Sequence, residues 1–199
     1  MHISEGVLSG PVIAAGWGLA LAGLGRGLKK TPAEKLTETA LVSAALFLVS
    51  LVHVPLGPSS VHLTMLGLAG ILLGWSAVPA LFVALLLQGI LLQFGGLLSL
   101  GVNTAIMGSA ALSSYALWRL LGTRFGFAAA FACGFTALIT GSALVTLSLF
   151  LSAKDLFSTA ALIFAANLPL AGVEGVVTAF CVFTLKRLLP QYVSGQAGI

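Results

Sequence analysis

The chain has 199 residues, of which 59% are hydrophobic and only 7% charged, whereas a soluble domain carries about 25% charged residues. Too few polar side chains remain to cover a water-facing globule, so the composition predicts an integral membrane protein, a single transmembrane domain over 1–199 with no room for a soluble catalytic unit. The formal net charge of +4 is orientation chemistry rather than a nucleic-acid footprint, and no nucleic-acid partner is expected.

The chain opens on Met1-His2-Ile3-Ser4-Glu5-Gly6. The Met1 amine, the first amide and the His2 imidazole are covalent neighbours. They can close two linked chelate rings around one ion, and three such nitrogens in a plane leave one planar position open. Sites of this kind suit Ni(II) or Cu(II) better than Zn(II), which prefers a tetrahedron. The plain alternative is an incidental histidine at position 2. The opening lacks a basic start and Glu5 precedes the first apolar run, so it does not read as a signal peptide and Met1 is expected to be kept.

The first span is expected over about 7–25. Gly10, Ala14, Gly18 and Ala22 recur every fourth residue there, and such a stripe lets another helix approach closely, inside the bundle or from a partner. Gly25-Arg26-Gly27 is expected to end it. These glycines make no phosphate loop, since no strand precedes them and no Gly-Lys-Ser/Thr follows. Span two, about 39–54, stops at Pro55-Leu56-Gly57-Pro58. Spans three and four, about 61–76 and 78–94, are short, with a tight uncharged turn between them. Gly95-Gly96 open the next loop. Span five, about 100–121, begins with Asn103-Thr104. Span six, about 125–151, closes at Lys154-Asp155. Span seven, about 159–185, encloses Asn167, Pro169 and Glu174.

Basic residues follow span one (Arg26, Lys29, Lys30, Lys35), span five (Arg119, Arg124) and span seven (Lys186, Arg187), while the opposite loops hold almost none besides Lys154. The positive-inside rule then puts the N-terminus outside and the C-terminus in the cytoplasm. The expected fold is all-α, a bundle of seven transmembrane helices. Trp75 and Trp118 fall near inner ends, as interfacial anchors do. Cys133 and Cys181 lie in apolar runs and are expected to be reduced packing residues.

Few polar residues remain inside, and each asks for a reason. His62 falls on the outer face with Met1 and His2, where it either supplies a fourth in-plane nitrogen or sits at the interface. His53 is expected to be interfacial. Ser59, Ser60, Asn103 and Thr104 lie at outer span ends. They either steady the His62 ring by hydrogen bonding or cap helices. Gln88 and Gln93 are expected as interhelical contacts, and Glu174, which needs a partner or a proton, either as a buried polar packing contact or, second, as a site residue. No catalytic or nucleotide-binding motif is present, so neither enzymatic activity nor ATP hydrolysis is expected of this chain.

The opening Met1-His2-Ile3-Ser4-Glu5-Gly6 resembles the start of the CbiM/NikM family, substrate-binding S components of energy-coupling factor transporters for cobalt and nickel. The likeness continues through Pro58-Ser59-Ser60-Val61-His62, Gln93-Phe94-Gly95-Gly96-Leu97, Leu100-Gly101-Val102-Asn103-Thr104 and Leu168-Pro169-Leu170-Ala171-Gly172-Val173-Glu174-Gly175, in order along nearly the whole chain. It implies an N-terminal loop tucked into the bundle. It also implies a transported Co(II) or Ni(II) ion held by the Met1 amine, the His2 amide and imidazole, and the His62 imidazole, with Ser60, Asn103 and Thr104 around them. No prosthetic group is implied. The implied partners are a transmembrane coupling (T) component, a pair of ABC ATPase subunits and a small accessory membrane subunit, in a bacterial or archaeal plasma membrane. The family often has His where Asn167 stands, and His53 is not one of its ligands. Two other readings compete. One is a structural or assembly subunit with no metal; the other is an S component for an organic vitamin, with a roomy pocket.

Overall fold

The computed structural model describes residues 3–51, 53–56, 59–153 and 157–189. In so apolar a chain, breakers set the element boundaries more than periodicity does. Pro11 stands in the first turn of α1 (Gly10–Lys29), where its missing N–H has no intrahelical partner to lose. There follow α2 (Leu36–Leu51), the strands β1 (His53–Leu56) and β2 (Ser59–His62), then α3 (Leu66–Leu73), α4 (Ala77–Leu92), α5 (Leu100–Phe125), α6 (Phe127–Ser152) and α7 (Phe157–Leu188). The architecture is all-α apart from the antiparallel β1–β2 hairpin. Gly10–Lys29, Leu66–Leu92, Phe127–Ser152 and Ala161–Leu188 are long and apolar enough to cross a membrane. The chain is a multi-pass membrane protein.

The expected third span is corrected. Val61 and His62 are not helical; they pair with Val54 and His53 in the hairpin. Pro55 favours extended backbone in the residue before it, Val54, which suits a short strand. The helix that follows, α3, has eight residues, about 12 Å of rise against a hydrocarbon core of about 30 Å. Among the described residues, the seven-helix expectation therefore becomes six helices of 16 residues or more and one short one.

A sharp turn does separate α3 from α4. Gly74 has φ 55 and ψ −123, and Gly74–Ser76 form a single 3-10 turn. Were 66–92 one straight helix, Thr64 and Gln88 would stand about 36 Å apart. Instead both line one small cavity with Leu85 and Met107, so the chain descends through α3 and returns through α4. The short helix is nearly all buried. Gly67 and Gly70 have no Cβ to fend off Gly134 on α6 and the Ala111 carbonyl on α5.

Further expectations change. α1 runs through Gly25-Arg26-Gly27, because a side chain at Gly27 would strike Pro79 and the Trp75 carbonyl; that glycine serves a close approach, not a stop. Trp118 is 1% exposed, a core residue under the Lys186 ammonium, 4.9 Å from its ring, not an interfacial anchor. Gln93 is exposed and ends α4 in a left-handed conformation, φ 57. Cys133 and Cys181 are free thiols.

The basic residues gather at one end. The Arg26 guanidinium lies 4.5 Å over Trp75 and that of Arg119 5.8 Å over Tyr115, and Tyr115 packs on Gly74. The other end carries residues 3–9, the 93–99 loop and the hairpin. Along α1, Gly16 and Gly23 face Val102 and Val78 inside the bundle, whereas a Cβ on Gly10 or Gly18 would meet nothing within 4 Å. Gly10, Ala14, Gly18 and Ala22 are all exposed, so the small-residue stripe is left open by the described residues.

Candidate metal centre

Met1 and His2 lie outside the described residues. The residues that follow them show where the amino-terminal arm goes. Ile3 is 5% exposed and packs among Leu8, Val102 and Ile106, and Val145 and Leu149 of α6. Its N–H donates to the Asn103 Oδ1 at 3.0 Å, and its carbonyl accepts from the Asn103 Nδ2 at 3.1 Å. This pairing also fixes which end of the amide is oxygen. Glu5 Oε1 accepts the Leu98 N–H at 2.7 Å. Glu5 also packs so closely on Gly96 that a Cβ there would overlap it, and Gly96 has the φ of +95 that glycine alone takes readily. Ser9 N–H donates to Ser152 Oγ at 3.2 Å. The arm is thus clamped by α5, the 93–99 loop and the end of α6.

The second expected donor, His62, ends β2, where its backbone pairs with that of His53; both side chains, and that of Ser60, lie outside the description. The residues just beyond it are described. Thr64 is 5% exposed. Its N–H and O–H both donate to the Glu174 carboxylate of α7, as does the Met65 N–H.

Two flanks therefore meet on α5. Asn103 holds Ile3, one residue after His2, while Met107 lines the cavity beside Thr64, two residues after His62. Positions four apart stack on one helix face, about 6 Å apart along its axis. Thr104, the neighbour of Asn103, points elsewhere. It lines a groove with Ala20, Gly23 and Val78, and its hydroxyl has no partner among the described residues. Gln88 is buried beside Thr64, with its carbonyl oxygen unpaired among the described residues. Among those residues no three His, Cys, Asp or Glu converge.

Sequence reasoning singled out Asn103 but not its partner, Ile3. It missed the clamps made by Glu5, Ser152 and Glu174. Of these only Glu174 had a visible signal, a carboxylate deep in an apolar run.

Comparison with known proteins places the whole chain. A family profile described as CbiM, cobalt uptake substrate-specific transmembrane region, matches residues 2–192. The cobalt transport protein CbiM of Sorangium cellulosum is 33% identical over 96% of this chain and 93% of its own length. A Haemophilus influenzae protein provisionally called a metal transport protein is 48% identical over 60% of this chain, which spans 58% of that protein. A longer Methanocorpusculum labreanum protein, provisionally called a fused cobalt transport protein CbiMQ, is 38% identical over 55% of this chain and 20% of its own length. The crystal structure of a truncated transition metal transporter superposes with a TM-score of 0.81 at 25% identity, covering 94% of this chain and 99% of the other.

Proposed function

The chain belongs to the CbiM family, and from that premise we propose that it is the substrate-specific membrane subunit of an energy-coupled importer, capturing a divalent cobalt or nickel ion from outside. The ion is cargo; no resident prosthetic group is needed, and ATP is hydrolysed by other chains. The donors are the Met1 amine, the His2 amide and imidazole, and the His62 imidazole. Asn103 acts behind them by holding Ile3, and Ser60 stands two residues before His62. The observation that carries this reading is the meeting of the two flanks, Ile3 on Asn103 and Thr64 beside Met107, on one face of α5. A metal-free assembly subunit has no need of an arm drawn into the bundle. A vitamin site needs a cavity of about 300 Å³ or more; the cavity between these flanks measures about 10 Å³, and the larger groove, about 270 Å³, lies apart from them against α1.

In this reading the chain crosses the membrane seven times, the third crossing being strand β2 continued by α3. The end bearing Arg26, Arg119 and Lys186 is cytoplasmic by the positive-inside rule, which leaves the arm outside and the C-terminus inside. The partners are a transmembrane coupling component, two ATPase subunits and a small accessory membrane subunit; the fused relative supports a companion chain. The exposed Gly10/Ala14/Gly18/Ala22 stripe is the docking face for the coupling component. Gly18→Leu with Ala22→Leu is expected to abolish metal uptake in cells while the purified variant still binds metal, because both positions are exposed on α1. Uptake at the wild-type rate would remove the stripe from the interface.

Binding itself is tested at the arm. Residues added before Met1 convert the amine into an amide and remove one donor. Purified protein with the native start is expected to retain Ni(II) or Co(II) through gel filtration, and the extended protein to lose it. An extended protein that holds metal with an unchanged visible spectrum would refute the proposed donor set.

A further inference from the structure

Glu174 has no part in the donor set, yet it is the most deeply buried carboxylate among the described residues, 1% exposed in α7. A carboxylate inside an apolar bundle is costly unless its oxygens are engaged. Here they are engaged by one short segment. Oε1 accepts the Thr64 N–H and, at 2.7 Å, the Thr64 hydroxyl, and the Met65 N–H lies 3.2 and 3.1 Å from the two oxygens. Met65 is the residue that starts α3, in a left-handed conformation with φ 51, and no side chain of its own segment caps that helix. The first amides of a helix lack intrahelical partners and its start favours negative charge. From another helix, 110 residues away in sequence, Glu174 takes the first of these amides, that of Met65, and sets an acidic group at the start of α3.

The segment so held begins two residues after His62. We propose that Glu174 is a positioning residue for His62: by gripping residues 64 and 65 it sets where the end of β2 stands, and makes α7 part of the device that holds the metal. It does not touch the ion. This rests on the reading of His62 as a ligand. A carboxylate that only braced α3 would affect stability and nothing else, so the decisive measurements are made at the metal.

The test uses the full chain with its native start, loaded with Ni(II). The position of the visible absorption band and the rate of metal loss to excess chelator are compared for wild type, Glu174→Gln, Thr64→Val and His62→Ala. Glu174→Gln keeps the shape and one acceptor; Thr64→Val removes the hydroxyl donor alone. Both are expected to remain folded by gel filtration, to shift the band, and to lose metal about 10–100-fold faster, the range typical of groups that orient metal ligands. A wild-type band and rate in the folded variants overturns the proposal, even if Tm falls. If Glu174→Gln does not fold, Thr64→Val decides the matter alone. A wild-type band and rate in His62→Ala overturns the ligand reading itself, and the role of Glu174 with it, by a measurement that leaves Glu174 intact.

Discussion

Asn103→Leu is expected to release the amino-terminal arm and lower metal affinity by roughly 30-fold to 10⁴-fold. Asn103 satisfies both backbone groups of Ile3, at 3.0 and 3.1 Å, in a site where Ile3 is buried. Leucine matches the volume but offers neither bond. Each buried group left unpaired costs about 1–3 kcal/mol, so the docked arm loses about 2–6 kcal/mol against an arm in water, where both groups are hydrated. Every 1.4 kcal/mol is about tenfold in affinity. Equilibrium dialysis against Ni(II) or Co(II) measures the change. Asn103→Asp keeps the acceptor for the Ile3 N–H and loses the donor to its carbonyl, so it should fall between leucine and wild type. Wild-type affinity in Asn103→Leu would mean that arm docking and metal binding are not coupled.

Gly134→Ala is expected to lower Tm by at least about 6–12 °C. A Cβ at Gly134 would stand 2.5 Å from the Glu174 carbonyl and 2.6 Å from Thr178 Oγ1, and Gly67 presses on the same residue from α3. The nearest obstacle, the Glu174 carbonyl, is backbone, which cannot swing aside as a flexible side chain does. Overpacking of a tight core costs about 1–3 kcal/mol and sometimes more; about 3 kcal/mol is expected here, at about 2–4 °C per kcal/mol for a chain of this size. Gly18→Ala is the matched control. Nothing lies within 4 Å of its Cβ, and alanine favours a helix over glycine by about 0.8–1.0 kcal/mol, so its Tm should hold or rise. Equal losses at the two positions would contradict the α3–α6–α7 crossing. The same crossing places Glu174 one turn before Thr178, so a shift of α7 there is also expected to disturb its grip on Thr64.

The membrane class, the family and the gathering of positive charge at one end are all legible in the sequence. Each is a property of composition or of residues close along the chain. Helix positions were legible to within a few residues wherever a breaker stood at the boundary, as at Gly95-Gly96 before α5. Where a glycine or proline had another use, boundaries failed. Gly27 lets α1 approach Pro79, and Val61 and His62, expected to open a helix, pair in a hairpin instead.

What only the tertiary structure decided is which face of each helix is used and which distant groups meet. In a chain that is 59% hydrophobic, lipid-facing and protein-facing sides are equally apolar, so periodicity cannot tell the inner glycines of α1 from its exposed stripe. Nor can it tell that Trp118 is core. The bonds that shape the candidate centre join Ile3 to Asn103 and Thr64 to Glu174, across 100 and 110 residues. A hydrogen bond of that span leaves no local pattern, because its two halves become neighbours only when the bundle has folded.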